Sequence, residues 1–254
     1  MDRYRRDGAG LPDKPRRSAY NFALMGISHA DLLFIEAVSA SPPRRVCDLG
    51  DQDLVCEDRE ILVFGASPFG SRELGSKTRN FWQAVGAEYV ALDMVGDCVR
   101  FDLNTERVPS EWKRFDLVMN GGTSEHVMNQ VNCFTVMHDL CEVGGMIYHQ
   151  VPIGGYAIHG FFNYNVKFFR ALARMNGYEI LNERIDFADS NEGPFPDARM
   201  ACPDASLRIL LGKRRARPFR VPLDIPLTPA ERAVRRARFM AGTALRRFRS
   251  LISS

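Results

Sequence analysis

Short apolar runs closed by a glycine, an acid or an amide recur along this chain, and stretches with helical spacing separate most of them. Residues 20–39 read as a helix: Ser28 and Asp31 form a capping-box pattern, Leu32, Leu33, Ile35, Ala37 and Val38 supply an apolar face, and Pro42 and Pro43 stop it. RVCDLG (45–50) reads as a first buried strand, AEYVALD (87–93) as a second and CVRFDLN (98–104) as a third. FDLVMN (115–120) is a fourth, MIYHQVP (146–152) a fifth closed by Pro152, and 178–186 and 206–213 are two closing strands. Helical spacing recurs at 79–85, at 127–141 (Val127, Val131, Phe134, Met137, Leu140) and at 165–175, where Asn176 and Gly177 suit a left-handed stop. Residues 51–78 break the alternation and read as an insertion, with 61–66 either a short strand or an apolar turn. Strands alternating with helices predict an α/β fold with a doubly wound, mostly parallel sheet.

Composition narrows the class. At 254 residues, 45% hydrophobic and 26% charged, the chain is long enough for one large domain with appendages. The expected division is a basic N-terminal arm at 1–18, an α/β domain at 19–213 and a basic extension at 214–254. Net charge is only +3, yet after Lys213 the basic residues face just two acids, Asp224 and Glu231. Six cysteines form no CxxC or zinc-finger spacing, which points to reduced thiols and a cytoplasmic setting. No apolar run approaches the ~18 residues of a membrane span, and the charged N-terminus lacks the apolar segment of a secretory signal.

The strand ends carry the candidate chemistry. Gly50 closes the first strand, Asp93 the second, Asp102 and Asn104 follow the third, and Asn120, Gly121 and Gly122 close the fourth. In an open α/β sheet ligands gather outside these carboxyl ends: a glycine admits the ligand to the backbone, and an acid after the second strand can take both ribose hydroxyls. A third acid or amide can reach an adenine amino group. No GxGxxG follows the first strand, so the pattern suits an adenosine-type cofactor without a pyrophosphate better than a nicotinamide dinucleotide.

LGDQ at 49–52, GTSEHV at 122–127 and HGFFNYN at 159–165 resemble the motifs of class I S-adenosylmethionine-dependent methyltransferases, in a branch with LGxQ, GTxEHV and HGF segments. The likeness runs from about 45 to 185. It implies a Rossmann-like sheet, S-adenosyl-L-methionine as cofactor, and cofactor contacts at Gly50, Gln52, Asp93, Asp102, Asn120 and Gly121. Two departures stand out. The usual DxGxGxG loop is reduced to Asp48, Gly50 and Asp51-Gln52, and Asp93 lies about forty residues past Gly50 against the ~20 of a compact dinucleotide fold.

Four of the five histidines lie between 126 and 159. His138 reads as a surface or packing residue on its helix, and His149 sits inside the fifth strand. His126 and His159 follow strands four and five, where chemistry is expected. Methyl transfer to a hydroxyl needs a base, and imidazole titrates in the right range. His126 or His159 is therefore the expected base, with Glu125 orienting the imidazole or binding a substrate hydroxyl. The alternative is that Glu125 caps its helix while His126 bonds the loop. No HxxxH or HxH pair is present, so no metal is expected. Phe168 and Phe169 read as core, while Tyr156, Phe161 and Tyr164 can wall an acceptor pocket.

In the extension, Thr228, Pro229 and Glu231 open an amphipathic helix with an apolar stripe (Ala237, Met240, Ala244, Phe248) among arginines. Such a helix suits an anionic membrane surface, an acidic partner or its own domain, and no nucleic-acid motif accompanies it. The expected function is methyl transfer to oxygen on a small-molecule or glycan-type acceptor. The rival is a non-catalytic scaffold that has lost the cofactor and works through its basic tail.

Overall fold

The computed structural model describes residues 26–55, 63–64, 77–156, 159–187 and 204–224. The expected N-terminal arm, the basic helix after 228 and most of the 51–78 insertion lie outside the described residues. From Pro222 the chain belongs to a second compact unit, of which only 222–224 are described.

The expected α/β sheet is present. Its strands in chain order are β2 (Arg45–Leu49), β4 (Glu88–Asp93), β5 (Val99–Arg100), β6 (Phe115–Gly121), β7 (Cys141–Gly154), β8 (Tyr178–Phe187) and β9 (Ala205–Lys213). They lie side by side as β5-β4-β2-β6-β7-β9-β8. Ladders among the first five are parallel, and β9 runs against both β7 and β8. A separate parallel pair joins β1 (Gly26–Ser28) to β3 (Asp53–Val55). Strand order reverses between β2 and β6: the chain grows outward through β4 and β5, then returns to the other side of β2. That reversal is where an open α/β sheet leaves a crevice at its carboxyl rim.

Strand alternation divides the core. Cys47, Val118, Ile147 and Ile209 pack with Phe134, Met137 and Leu140 of α3 (Gln130–Leu140) and Phe169 and Leu172 of α4 (Val166–Asn176). Their neighbours Val46, Leu117, Tyr148 and Leu210 point the other way. There they meet Leu32 and Ile35 of α1 (His29–Glu36) and Phe81 and Trp82 of α2 (Thr78–Ala84). Helices therefore cover both faces, as doubly wound strands require.

Four expectations need correction. Within the expected helix at 20–39, residues 26–28 are extended, because they pair with β3; α1 begins only at His29, with Ser28 as cap. The third strand shrinks to Val99–Arg100, since the Asp102 carboxylate accepts from the Asn104 amide (2.8 Å) and the Thr105 hydroxyl (2.8 Å) and folds 102–105 into a turn. Pro152 does not close β7. β6 ends at Gly121 opposite Gln150, so beyond that point β7 is paired only with β9 and tolerates a proline and a bulge. The helix expected from 127 starts only at Gln130 under an Asn129 cap, and Glu125 and His126 precede it in a 3₁₀ turn (Ser124–His126). Among the described residues no helix is long and apolar enough to cross a membrane. Cys47, Cys98, Cys133 and Cys141 are free thiols.

Candidate functional site

The turn after β2 begins the site. Gly50 adopts φ +95°, and its amide donates to the Leu92 carbonyl of β4 at 2.8 Å. A side chain there would be strained, and its Cβ would lie 2.5 Å from Gln52 Nε2 and 2.9 Å from Thr123 Oγ1. The Gln52 amide donates to the Leu49 carbonyl (3.1 Å) and to Thr123 Oγ1 (2.9 Å), tying the β2 turn to the β6 turn. Asp51 donates its amide to Asp93 Oδ2 at 3.0 Å, and Asp93 Oδ1 accepts from the Met94 amide at 2.6 Å. Asp93 thus stands beside Gly50, half-buried, at the end of the adjacent strand.

The insertion accounts for the long spacing from Gly50 to Asp93. The chain leaves after β3 and returns at Lys77, whose Nζ meets Asp53 Oδ1 at 2.9 Å and Asp51 Oδ2 at 3.4 Å. Arg79 Nη2 closes on Asp51 Oδ1 at 2.7 Å. Burial alone would raise the Asp51 carboxyl, but the Arg79 hydrogen bond and the Lys77 and Arg79 charges outweigh it and hold it below the usual carboxylate range. The Thr78 amide then donates to the Gln52 carbonyl at 3.1 Å, so the helix after the insertion starts where a shorter loop would have delivered it. Beneath the turn, Asp48 is fully buried. Burial pushes its carboxyl well above the usual range, while Tyr89 Oη donates to Oδ2 at 3.2 Å.

The β6 end is locked from below. Asn120 is buried, accepting from the Ser124 amide (2.9 Å) and donating to Ser124 Oγ (2.8 Å), with His149 Nδ1 3.1 Å from the same Nδ2. Because Nδ2 is a donor, His149 Nδ1 is an acceptor and the ring carries its proton on Nε2, which has no partner among the described residues. Burial lowers His149 to about 3. Tyr164 Oη donates within the same network, 2.9 Å from Ser124 Oγ and 2.6 Å from Gln130 Oε1. Gly121 is covered by the side chain of Ile27 from β1. Asp102 spends both carboxylate oxygens on its own turn, and the Asn104 backbone amide leads the contacts that hold it below the usual range.

Glu125 and the two rim histidines come together although 33 residues separate the segments. Phe161 and Phe162 both donate backbone amides to the Glu125 carbonyl, at 2.8 and 3.2 Å, and His159 donates its amide to the Tyr156 carbonyl at 3.1 Å. The Glu125 side chain is completely buried, and neither oxygen has a hydrogen-bond partner among the described residues. His159 Nε2 is 3.6 Å from Glu125 Oε1, and the His126 and His159 rings meet edge to face at 4.9 Å. His126 is exposed and His159 half-buried, so the cluster runs from a dry carboxylate outward to solvent. Tyr156 lies beside His159 with ring centroids 6.0 Å apart, its backbone at φ +46° and its hydroxyl raised by burial to about 12. Phe161 is 67% exposed, and Tyr164 is turned inward against Phe134 and Phe169. His138 is a packing residue: buried, 2.5 Å from Tyr178 Oη and 2.7 Å from the Arg217 carbonyl.

Reasoning from the sequence missed Thr123 and Ser124 as cross-strand braces, and Ile27 as the cover over Gly121. A hydroxyl pair directly after a glycine pair was the available signal for the first two. By fold the chain is similar to 1,6-didemethyltoxoflavin-N1-methyltransferase of Burkholderia thailandensis, solved with S-adenosylhomocysteine (13% identity, 78% of this chain and 82% of that one, TM-score 0.47). It is similar also to an Archaeoglobus fulgidus SAM-dependent methyltransferase (13% identity, 72% and 91%, TM-score 0.40). A third is phosphoethanolamine N-methyltransferase 2 of Haemonchus contortus (11% identity, 77% and 56%, TM-score 0.46). No family model matches the chain, and no curated protein matches it.

Proposed function

We infer that this protein is an S-adenosylmethionine-dependent methyltransferase that acts on a hydroxyl of a small-molecule or glycan-type acceptor. The carrying observation is the convergence of consecutive strand ends on one rim: Gly50, Asp93, Asn120 and the Glu125–His126–His159 cluster follow β2, β4, β6 and β7 around the point of strand reversal. The residues fit such a cofactor. Gly50 lets the Gln52 and Thr123 side chains close against its backbone at the head of the crevice, and Asp93, partly exposed, would have to use lone pairs left on oxygens that already accept the Asp51 and Met94 amides to take ribose hydroxyls. When bound, the cofactor supplies a methyl group on a sulfonium. Asn120 and Gly121 act chiefly as the floor beneath that crevice.

The acceptor hydroxyl must give up its proton, and His126 or His159 takes it at the solvent edge of the cluster. Glu125 opposes the positive charge that the imidazole gains. Tyr156 and Phe161 flank this edge and would guide the acceptor. The reduced glycine loop favours the second reading, a scaffold that has lost its cofactor. Calorimetry separates the two: the enzyme gives micromolar binding heat with S-adenosylmethionine, and none at millimolar ligand leaves the scaffold. His126→Ala and His159→Ala should slow turnover with cofactor affinity nearly intact, and normal rates in both would remove the base.

A further inference from the structure

We propose that Glu125, His126 and His159 form a binding site for a divalent transition-metal cation. Each residue contributes one donor atom, and the three donors lie within 4.8 Å of one another. Metal bonds of ~2.0–2.2 Å place neighbouring donors roughly 3–3.5 Å apart, so small side-chain rotations close the set. The shortest separation, Glu125 Oε1 to His159 Nε2, is already 3.6 Å.

Three further observations point to a cation rather than to a chance gathering. Glu125 is completely buried with both oxygens unpartnered among the described residues, and a carboxylate in that position calls for a compensating positive charge. His159 Nε2, the atom facing it, is likewise buried without a hydrogen bond. The two segments are also clamped before any ligand arrives: the Glu125 carbonyl takes two amides from the 159–162 segment, and Gly160 allows that segment within about van der Waals distance of Glu125, since a Cβ there would lie 3.0 Å from Glu125 Cγ. The sequence hides the site because its ligands come from two turns instead of one HxxxH helix.

Two imidazoles and one carboxylate suit Mn²⁺, Fe²⁺, Co²⁺ or Zn²⁺, and three protein ligands leave coordination positions open. Exposed His126 puts those positions on the solvent side, where an acceptor bearing one hydroxyl, or two on neighbouring carbons, can reach them. This inference rests on the reading of the rim as the catalytic face and refines one part of it. Imidazoles that held a cation would be ligands and not bases; the metal would acidify a bound acceptor hydroxyl, whose proton would pass to water at the exposed His126 side.

The test is Mn²⁺ binding to the full chain after chelator treatment, followed by the loss of the free-ion electron paramagnetic resonance signal. Binding of S-adenosylmethionine is measured by calorimetry on the same samples. About one Mn²⁺ per chain should bind to the wild type, and Glu125→Gln and His159→Ala should each weaken it by ~10–100-fold or more, at least the effect of losing an outer-shell partner. Circular dichroism confirms that each variant is folded, and the second variant serves if the first is not. A wild type that binds no Mn²⁺, or folded variants that bind it equally well, would overturn the site. Cofactor heat in those samples reports separately on the methyltransferase reading, since Glu125 and His159 are not among the residues assigned to the cofactor.

Discussion

Acidification should loosen the floor of this site through one residue, His149. In the folded chain burial holds its imidazole at about 3, against an ordinary value of 6.5. Below pH 6.5 the unfolded chain therefore binds a proton that the folded chain refuses, and stability falls as pH falls towards 3. At pH 5 the difference is ~1.5 pH units at 1.36 kcal/mol each, or ~2 kcal/mol. The geometry shows why the proton is refused. His149 Nδ1 faces the Asn120 Nδ2 donor at 3.1 Å, so a protonated ring would set donor against donor. The ring also packs against Phe134 and Phe169, with centroids 5.7 and 4.9 Å away. The assay is urea unfolding at pH 7 and pH 5 for the wild type and for His149→Gln, which keeps an acceptor for Asn120 but cannot protonate. For a slope of 2–3 kcal/mol/M the wild-type midpoint should drop by roughly 0.7–1 M more than the variant's. His138, also lowered chiefly by burial, contributes to both chains alike and cancels. If the two midpoints move together within ~0.1 M, His149 is not buried neutral and the lock described beneath Ser124 is wrong.

Three further outcomes are expected. Asp93→Ala should weaken S-adenosylmethionine binding by ~1.5–3 kcal/mol, about 10- to 150-fold by calorimetry, as for hydrogen bonds to a charged group; unchanged affinity would put the ribose elsewhere. Asp48 stays protonated in the fold at pH values where the unfolded chain releases its proton, so its own contribution to stability declines as pH rises above the ordinary carboxylate range, against the opposite trend from His149. Asp48→Asn should flatten that decline in paired denaturation curves, and a parallel pH dependence in both chains would mean that Asp48 is ionised. Tyr164→Phe removes a hydroxyl shared between Ser124 and Gln130 and should cost ~1–3 kcal/mol in thermal or urea unfolding; a loss under a few tenths would show that the network does not depend on it.

What the sequence made legible followed from periodicity. The strands that end in Leu49, Asp93 and Gly121 are mostly apolar runs, and burial makes such runs conspicuous. Gly177 at φ +65° ended α4 where a left-handed stop was expected. The rest failed where a side chain competes with the backbone or a distant partner decides. Asp102 looked like a strand end, yet its carboxylate accepts from Asn104 and Thr105 and folds the chain into a turn there. Gly26–Ser28 looked helical because the pairing that makes them extended is with Asp53–Val55, across the first buried strand.

The candidate site divides in the same way. Gly50 and Asp93 could be placed at one rim from alternation alone, because parallel strands must end together. That Glu125 would be buried beside His159 could not, since the 159–162 segment, whose amides meet the Glu125 carbonyl, is connected to residue 125 by no local spacing. Resemblance joined the two motifs in one family pattern, but only the fold shows that they share hydrogen bonds. A fully buried carboxylate is costly to fold around unless something positive answers it. Among the described residues His159 Nε2 stands 3.6 Å from Glu125 Oε1, placed to share a cation with it. Glu125 is not the helix cap that the sequence also allowed: Asn129 caps α3, and the Glu125 oxygens accept nothing among the described residues.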